Sequence, residues 1–302
     1  MTKFSYRSLA EGPPSYRNYA DLLDDPGCNG DSTRIQEAYE THRDTWRAKQ
    51  IELFSTTETN PVKPNQALIK HLARQERLRN GRNLDEKDQT DNQKMNCCVV
   101  WARPPAALLD QIQRIQDELL QLVGDDLYLI PRADLHISVI ELSHRRTLPD
   151  LRSVSDQIGL SRIQKILDHV STLSAKPRLV APTISFDKAG ITLNFLPSTT
   201  SPYTYHHLRS DMHAIALESG IEIDRSPTAP SAHITIGKFT DNRFFETTEA
   251  RRGFVQLIQK FNEVVLKDQD GWIVGENQGL ELHMGYLKFG RECGRADLVG
   301  KA

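Results

Sequence analysis

Two short segments of the chain each place a histidine two residues before a hydroxyl: Leu135-His136-Ile137-Ser138-Val139-Ile140 and Ala232-His233-Ile234-Thr235-Ile236-Gly237. On a β-strand, residues two apart share a face. His136 and Ser138 therefore point one way, as do His233 and Thr235, while Ile137, Val139, Ile234 and Ile236 point into a core. An imidazole beside a hydroxyl suits a phosphate. The ring moves protons near neutral pH, and the hydroxyl donates to a non-bridging oxygen. One such triplet is a weak signal, because a strand-edge histidine is commonly satisfied by hydrogen bonds alone. His169-Val170-Ser171 also matches, but in a helical pattern. The weight comes from two copies at equivalent places in a repeat.

That repeat is visible in the elements that must position the two pairs. The first unit opens with the apolar run Cys97 to Trp101. Pro104 and Pro105 then start a helix carrying Leu108, Ile112, Ile115, Leu119 and Leu122 on one face, and Gly124 ends it. A short run, Leu127 to Ile130, leads to His136. The second unit opens with Ile191 to Phe195, continues through a helix with Leu208, Met212 and Ile215 in step to Gly220, and reaches His233 by way of Ile221 to Ile223. Two units of one order and nearly one length predict a duplicated β-α-β-β element. Around them lie a helix at 161–173, a hairpin turning at Asp187-Lys188-Ala189-Gly190, a late helix with Phe254, Leu257, Ile258, Phe261 and Val265, and a closing strand within 280–289. The fold class expected is α+β with antiparallel sheets: two pseudo-symmetric lobes with outer helices around a central cleft.

The paired LHISVI and AHITIG segments resemble the two signatures of the two-histidine (2H) phosphoesterase superfamily, in particular its RNA ligase/cyclic nucleotide phosphodiesterase-like branch. The resemblance covers 96–289 and rests on the motifs, their separation of 97 residues and the repeated order. It implies two lobes facing across a cleft, His136 and His233 as catalytic groups, and Ser138 and Thr235 as phosphate ligands. It also implies a 2′,3′-cyclic phosphate on a nucleotide or RNA end as substrate, with loss of the 3′ oxygen. The bottom-up chemistry agrees. Free imidazole has a pKa of about 6.5, so one ring can take a proton from water while the other donates to the leaving oxygen. The symmetry leaves the roles open; His233 as base and His136 as acid is the working assignment. The arrangement needs no metal and no cofactor. Two rival readings stay open: a 2H enzyme acting on 3′-5′ or 2′-5′ linkages, and a non-catalytic RNA-end-binding or scaffold protein.

Residues 1–94 lie outside the resemblance and read as a helical extension plus a polar loop, ahead of the catalytic region at 95–302. Asp31 and Ser32 cap a first helix bearing Ile35, Tyr39, His42, Trp46 and Leu53 on one face. A second helix, 65–79, displays Lys70, Arg74, Arg77 and Arg79, with Arg82 beyond; a solvated face explains this better than a nucleic-acid contact. Other candidates each carry a plainer alternative. Tyr205 and Arg209 could meet a base or phosphate at the cleft rim, or simply begin an amphipathic helix. Trp101 could stack on a base, although core packing suits it better. Lys238 and Lys288 could line the cleft. His206, His207 and His213 lack the i, i+4 pair of a helical zinc site, so a metal there is rejected.

Composition sets the outer limits. Lys and Arg total 38 against 40 Asp and Glu, a net charge of −2, which argues against wholesale binding of duplex phosphates. Cys28, Cys97, Cys98 and Cys293 form no Cys-x-x-Cys pair and read as reduced thiols. No apolar run is long enough to span a bilayer, and Met1 to Pro14 lacks a signal-peptide core. The expectation is a monomeric protein of the cytoplasm or nucleus with no membrane partner.

Overall fold

The structure, a computed structural model, describes residues 4, 6, 19–56, 58–81, 93–220, 229–267, 269–287 and 295–302. The run 221–223, Arg82, most of the polar loop before Lys94, Lys288 and Cys293 lie outside the described residues. In chain order the elements are α1 (Ala20–Leu23), α2 (Ser32–Thr56), α3 (Gln66–Arg79), β1 (Asn96–Ala102), α4 (Ala106–Val123), β2 (Leu127–Leu129), β3 (Ile137–Arg146), α5 (Leu148–Ile158), α6 (Leu160–Asp168), β4 (Arg178–Phe186), β5 (Gly190–Pro197), α7 (Tyr205–Leu217), β6 (Ala232–Phe239), α8 (Thr248–Lys260), β7 (Trp272–Ile273), β8 (Glu281–Gly285) and β9 (Leu298–Val299).

The fold is α+β, with every strand pair among the described residues antiparallel. The two expected lobes are halves of one curled sheet, ordered β7-β4-β5-β6-β3-β1-β8-β9. In each half the opening strand of the repeat lies outside and the motif strand inside: β1 pairs β3, β5 pairs β6, and β3 meets β6 at the centre. The duplication therefore places a local two-fold axis between the motif strands. One strand departs from the simple picture. β2, from the first unit, pairs with β6 of the second, tying the halves together.

The apolar pattern explains the packing. Ile137, Val139, Ile234 and Ile236 are buried, as the alternation requires, and join a continuous core with Ile112, Ile115, Leu119, Leu208 and Met212. Gln116, buried on α4, donates to the carbonyls of Ile130 and Ile236 at 2.9 and 2.8 Å, satisfying strand groups where α4 crosses them. Gly124 closes α4 with φ +68°, a conformation that costs glycine nothing. The helix expected at 161–173 is α6, continued by a short 3-10 turn that holds His169-Val170-Ser171; α5, which was not expected, precedes it across Gly159 (φ +85°). Among the described residues no helix is long and apolar enough to cross a membrane.

Both N-terminal helices begin where expected: the Asp31 side chain accepts from Arg34 N, and Asn65 accepts from Leu68 N. Their placement is less expected. α2 packs on α8 and on β5, with Ile35, Ala38, Tyr39 and Phe54 buried in the common core. This part of the extension is built into the wall of the sheet.

Candidate active site

The site starts from one strand pairing. Ile137 on β3 is registered opposite Ile234 on β6. Extending that antiparallel register by one residue each way sets His136 opposite Thr235 and Ser138 opposite His233, on the face away from the isoleucines. The two histidines are then diagonal neighbours, roughly 7 Å apart between Cβ atoms. On that register each half brings one imidazole and one hydroxyl to the seam; of the four, His233 and Ser138 line the cleft, whereas His136 and Thr235 are not among its lining residues. The groups also feel one another, since His233 contributes to the electrostatics of His136.

His136 is held tightly. Its Nδ1 lies 2.6 Å from the carbonyl of Asp134, which can only accept, so Nδ1 carries the proton and Nε2 is the exchangeable nitrogen. Its ring lies flat on Trp101, centroids 3.6 Å apart at 6°, and His283 stacks on Trp101 at 3.8 Å and 21°. Beneath this stack, Glu281 accepts from His283 at 2.7 Å and from Arg103 at 2.8 Å. Arg103 also donates to the carbonyls of Ala133 and Leu135, the backbone that leads into His136. Burial pushes His136 down to about 3. The Asp134 hydrogen bond opposes this, and the charges of Arg103, His283 and His233 add to it.

His233 opens onto a cleft of about 470 Å³ that Ser138 also lines. Its Nδ1 is 2.9 Å from Ser231 Oγ, a group able to donate or accept, so this ring's tautomer is free to change. Desolvation by the surrounding walls is the main force pushing His233 down, to about 4. Lys238, Arg209 and His42 lower it further and Asp187 opposes them. Without a ligand, both rings are therefore neutral at pH 7.

The remaining sequence candidates are placed as follows. Thr235 is half-buried beside the pair. Tyr205 is fully buried, and its hydroxyl, kept protonated by burial, donates to the Ser138 carbonyl at 3.3 Å. Arg209 is 7 % exposed and forms part of the cleft wall. Its guanidinium donates to the carbonyls of Val139, Ala229 and Ser231 at 2.9, 3.2 and 3.3 Å. One cation thus ties the backbone of both motif segments together; this is a positioning role, in place of the rim contact considered for Tyr205 and Arg209. The base-stacking reading of Trp101 also gives way, because His136 and His283 cover its two faces. Lys238 lines the cleft. The three helix histidines do structural work. His206 donates to Tyr19 O and accepts from Tyr39, His207 closes the capping box with Thr204, and His213 packs edge-on against Tyr19.

Sequence reasoning missed the supports Arg103, in the loop after β1, and Glu281 and His283 on β8, and the cleft residues that α2 supplies: Tyr39, His42, Arg43 and Trp46. The helical face carrying Tyr39, His42 and Trp46 was legible, but nothing local says that it borders a cleft rather than core. Among the described residues, Cys97, Glu141 and His144 form a group that could hold a metal, their donor atoms lying within 4.8 Å of one another. His144 Nδ1 is already 2.8 Å from Glu141 Oε1, a hydrogen bond that accounts for the cluster without an ion.

No family model matches the chain, and no curated protein matches it. Among solved structures it is similar to the structure of Kluyveromyces marxianus Usb1, at 15% identity and a TM-score of 0.33, over 65% of this chain and 96% of that one. Likeness at that level fixes neither activity nor substrate.

Proposed function

We propose that the protein is a metal-independent phosphodiesterase of the two-histidine type that hydrolyses 2′,3′-cyclic phosphates of nucleotides or RNA ends to 2′-phosphates. The observation that supports this reading is the antiparallel pairing of Ile137 with Ile234, whose extension by one residue pairs His136 with Thr235 and Ser138 with His233. A phosphate between the diagonal histidines has one imidazole on each side, as in-line displacement requires. Water attacks phosphorus and gives its proton to one ring. The P–O3′ bond breaks, and the departing oxygen takes a proton from the other ring. Ser138 and Thr235 donate to the non-bridging oxygens, where charge gathers in the transition state.

The acid must be charged before the reaction, yet both rings are neutral in the empty site at pH 7. The substrate supplies the remedy, because a bound phosphodiester anion favours the protonated form of whichever ring it faces. We assign His136 as the acid and His233 as the base. His136 has the fixed tautomer, with Nε2 as its single exchangeable site and an indole face beneath to favour a cation. The test is a substrate with a better leaving group, which needs little protonation and so spares the loss of the acid. It is expected to restore His136→Ala much more than His233→Ala, and the opposite pattern reverses the assignment. Phosphorus NMR against 2′- and 3′-AMP standards reads the bond that breaks; a dominant 3′-phosphate product contradicts the regiochemistry.

A further inference from the structure

The cleft continues past the histidines. A second cavity of about 540 Å³ lies between α2 and the turn joining β4 to β5, and Trp46 and Asp187 line both. Trp46 is half-buried on the dividing ridge, with part of its indole open to solvent. Exposed Lys49 and Lys188 flank the second cavity. Of the acids there, Asp187 is engaged by the amides of Ala189 and Gly190, which leaves Glu52.

We infer that Trp46, Lys49 and Lys188 form a track for the nucleotides that precede the reacting phosphate, so that the preferred substrate is a single-stranded oligoribonucleotide end rather than a free cyclic mononucleotide; this rests on the phosphodiesterase reading of the same cleft. A mononucleotide at the histidines reaches only the first cavity. A longer strand crosses the ridge, stacks a base on Trp46, and brings its phosphate between the lysines. Each cavity falls within the range of roughly 300–1,000 Å³ typical of small-ligand sites. Every element of the track comes from α2 or the β4–β5 turn, so the N-terminal extension acquires a role in specificity.

The experiment compares 2′,3′-cyclic AMP with a pentaribonucleotide ending in a 2′,3′-cyclic phosphate. In parallel, binding of a 5′-fluorescein pentaribonucleotide with a 3′-phosphate is followed by anisotropy. The kcat/KM ratio of pentamer to mononucleotide is expected to exceed one. In Trp46→Ala that ratio and the pentamer affinity fall roughly ten- to a hundredfold, the value of one base stack. Trp46→Phe, which keeps a ring, retains most of both, and the exposed double variant Lys49→Glu/Lys188→Glu lowers affinity further. Equal turnover of the two substrates, unmoved by Trp46→Ala, overturns the track while leaving the phosphodiesterase reading intact. Absence of turnover, with pentamer binding that Trp46→Ala abolishes, overturns that reading and supports the track. Failure of the pentamer to bind at all overturns the track.

Discussion

Each proposed catalytic ring is defined by what holds its second nitrogen. An accepting carbonyl fixes His136, and an adaptable hydroxyl orients His233. Replacing either histidine by alanine is expected to lower kcat by ~10² to 10⁴, the usual worth of a general acid or base. The double mutant should be little worse than the poorer single mutant, because the two act as a unit. Ser138→Ala and Thr235→Ala should slow turnover less and leave the fold intact by circular dichroism. Near-normal turnover in either histidine mutant contradicts the mechanism. The pH dependence follows from burial. Both rings sit well below the ordinary histidine range, so the singly protonated enzyme becomes scarce above about pH 4. The profile of kcat/KM, which reports the free enzyme, should fall as pH rises from there. The profile of kcat should turn down at higher pH, because the bound anion raises the acid's pKa. Histidine NMR reads the same shift directly: inorganic phosphate should move both resonances to higher titration midpoints. Coincident limbs in the two profiles, or free-protein midpoints near 6.5, contradict it.

The motif strands stay in register through buried groups on other elements. Arg209 on α7 reaches β3 and the segment entering β6, and it opens a hydrogen-bonded relay from Arg209 to Tyr39 on α2, to His206, to the carbonyl of Tyr19. Arg209→Lys cannot reach every acceptor. It should cost on the order of 2–4 kcal/mol by chemical denaturation, since buried carbonyls lose their donors, and it should lower kcat more than it raises KM. Unchanged stability contradicts the relay. His206, buried in the middle, is pushed down to about 3, chiefly by desolvation and then by Arg209. Its folded pKa lies below its unfolded value near 6.5, so the unfolded chain binds the extra proton. Its contribution is complete above about pH 6.5 and is lost as pH falls toward 3. His206→Gln should flatten the stability curve across that window; an unaltered slope between pH 6.5 and 4 refutes this. The strands, α4 and α7 were legible because two-residue and 3.6-residue periods are local properties. The supports were not. Trp101, Arg103, Glu281 and His283 come from β1, the loop after it and β8, and only the strand order makes them neighbours. Nor does local pattern show that a buried arginine will serve two distant strands, because arginine at a helix start normally reads as surface.

At the scale of the whole molecule, duplication explains why the chemistry is symmetric and its surroundings are not. In the proposed site the local two-fold sets each imidazole opposite a hydroxyl. β2 crossing to β6, the Trp101 stack under His136 and α2 along the cleft beside His233 then make the two sides different. The sequence displayed the repeat clearly, yet residues 1–94 read as an appendage, because an amphipathic helix looks alike against a core or over a cleft. Metal independence is also a property of the whole catalyst: turnover should survive excess EDTA. Loss on chelation, restored by one metal, would shift attention to Cys97, Glu141 and His144. The most direct test of the central claim is incubation of the wild-type protein and of His136→Ala and His233→Ala, each with EDTA, with 2′,3′-cyclic AMP and a cyclic-phosphate-ended RNA, products resolved by chromatography. The account predicts a 2′-phosphate product from the wild type and at least a hundredfold less from each folded mutant. A wild type that leaves both substrates intact, or mutants that match it, would contradict the account.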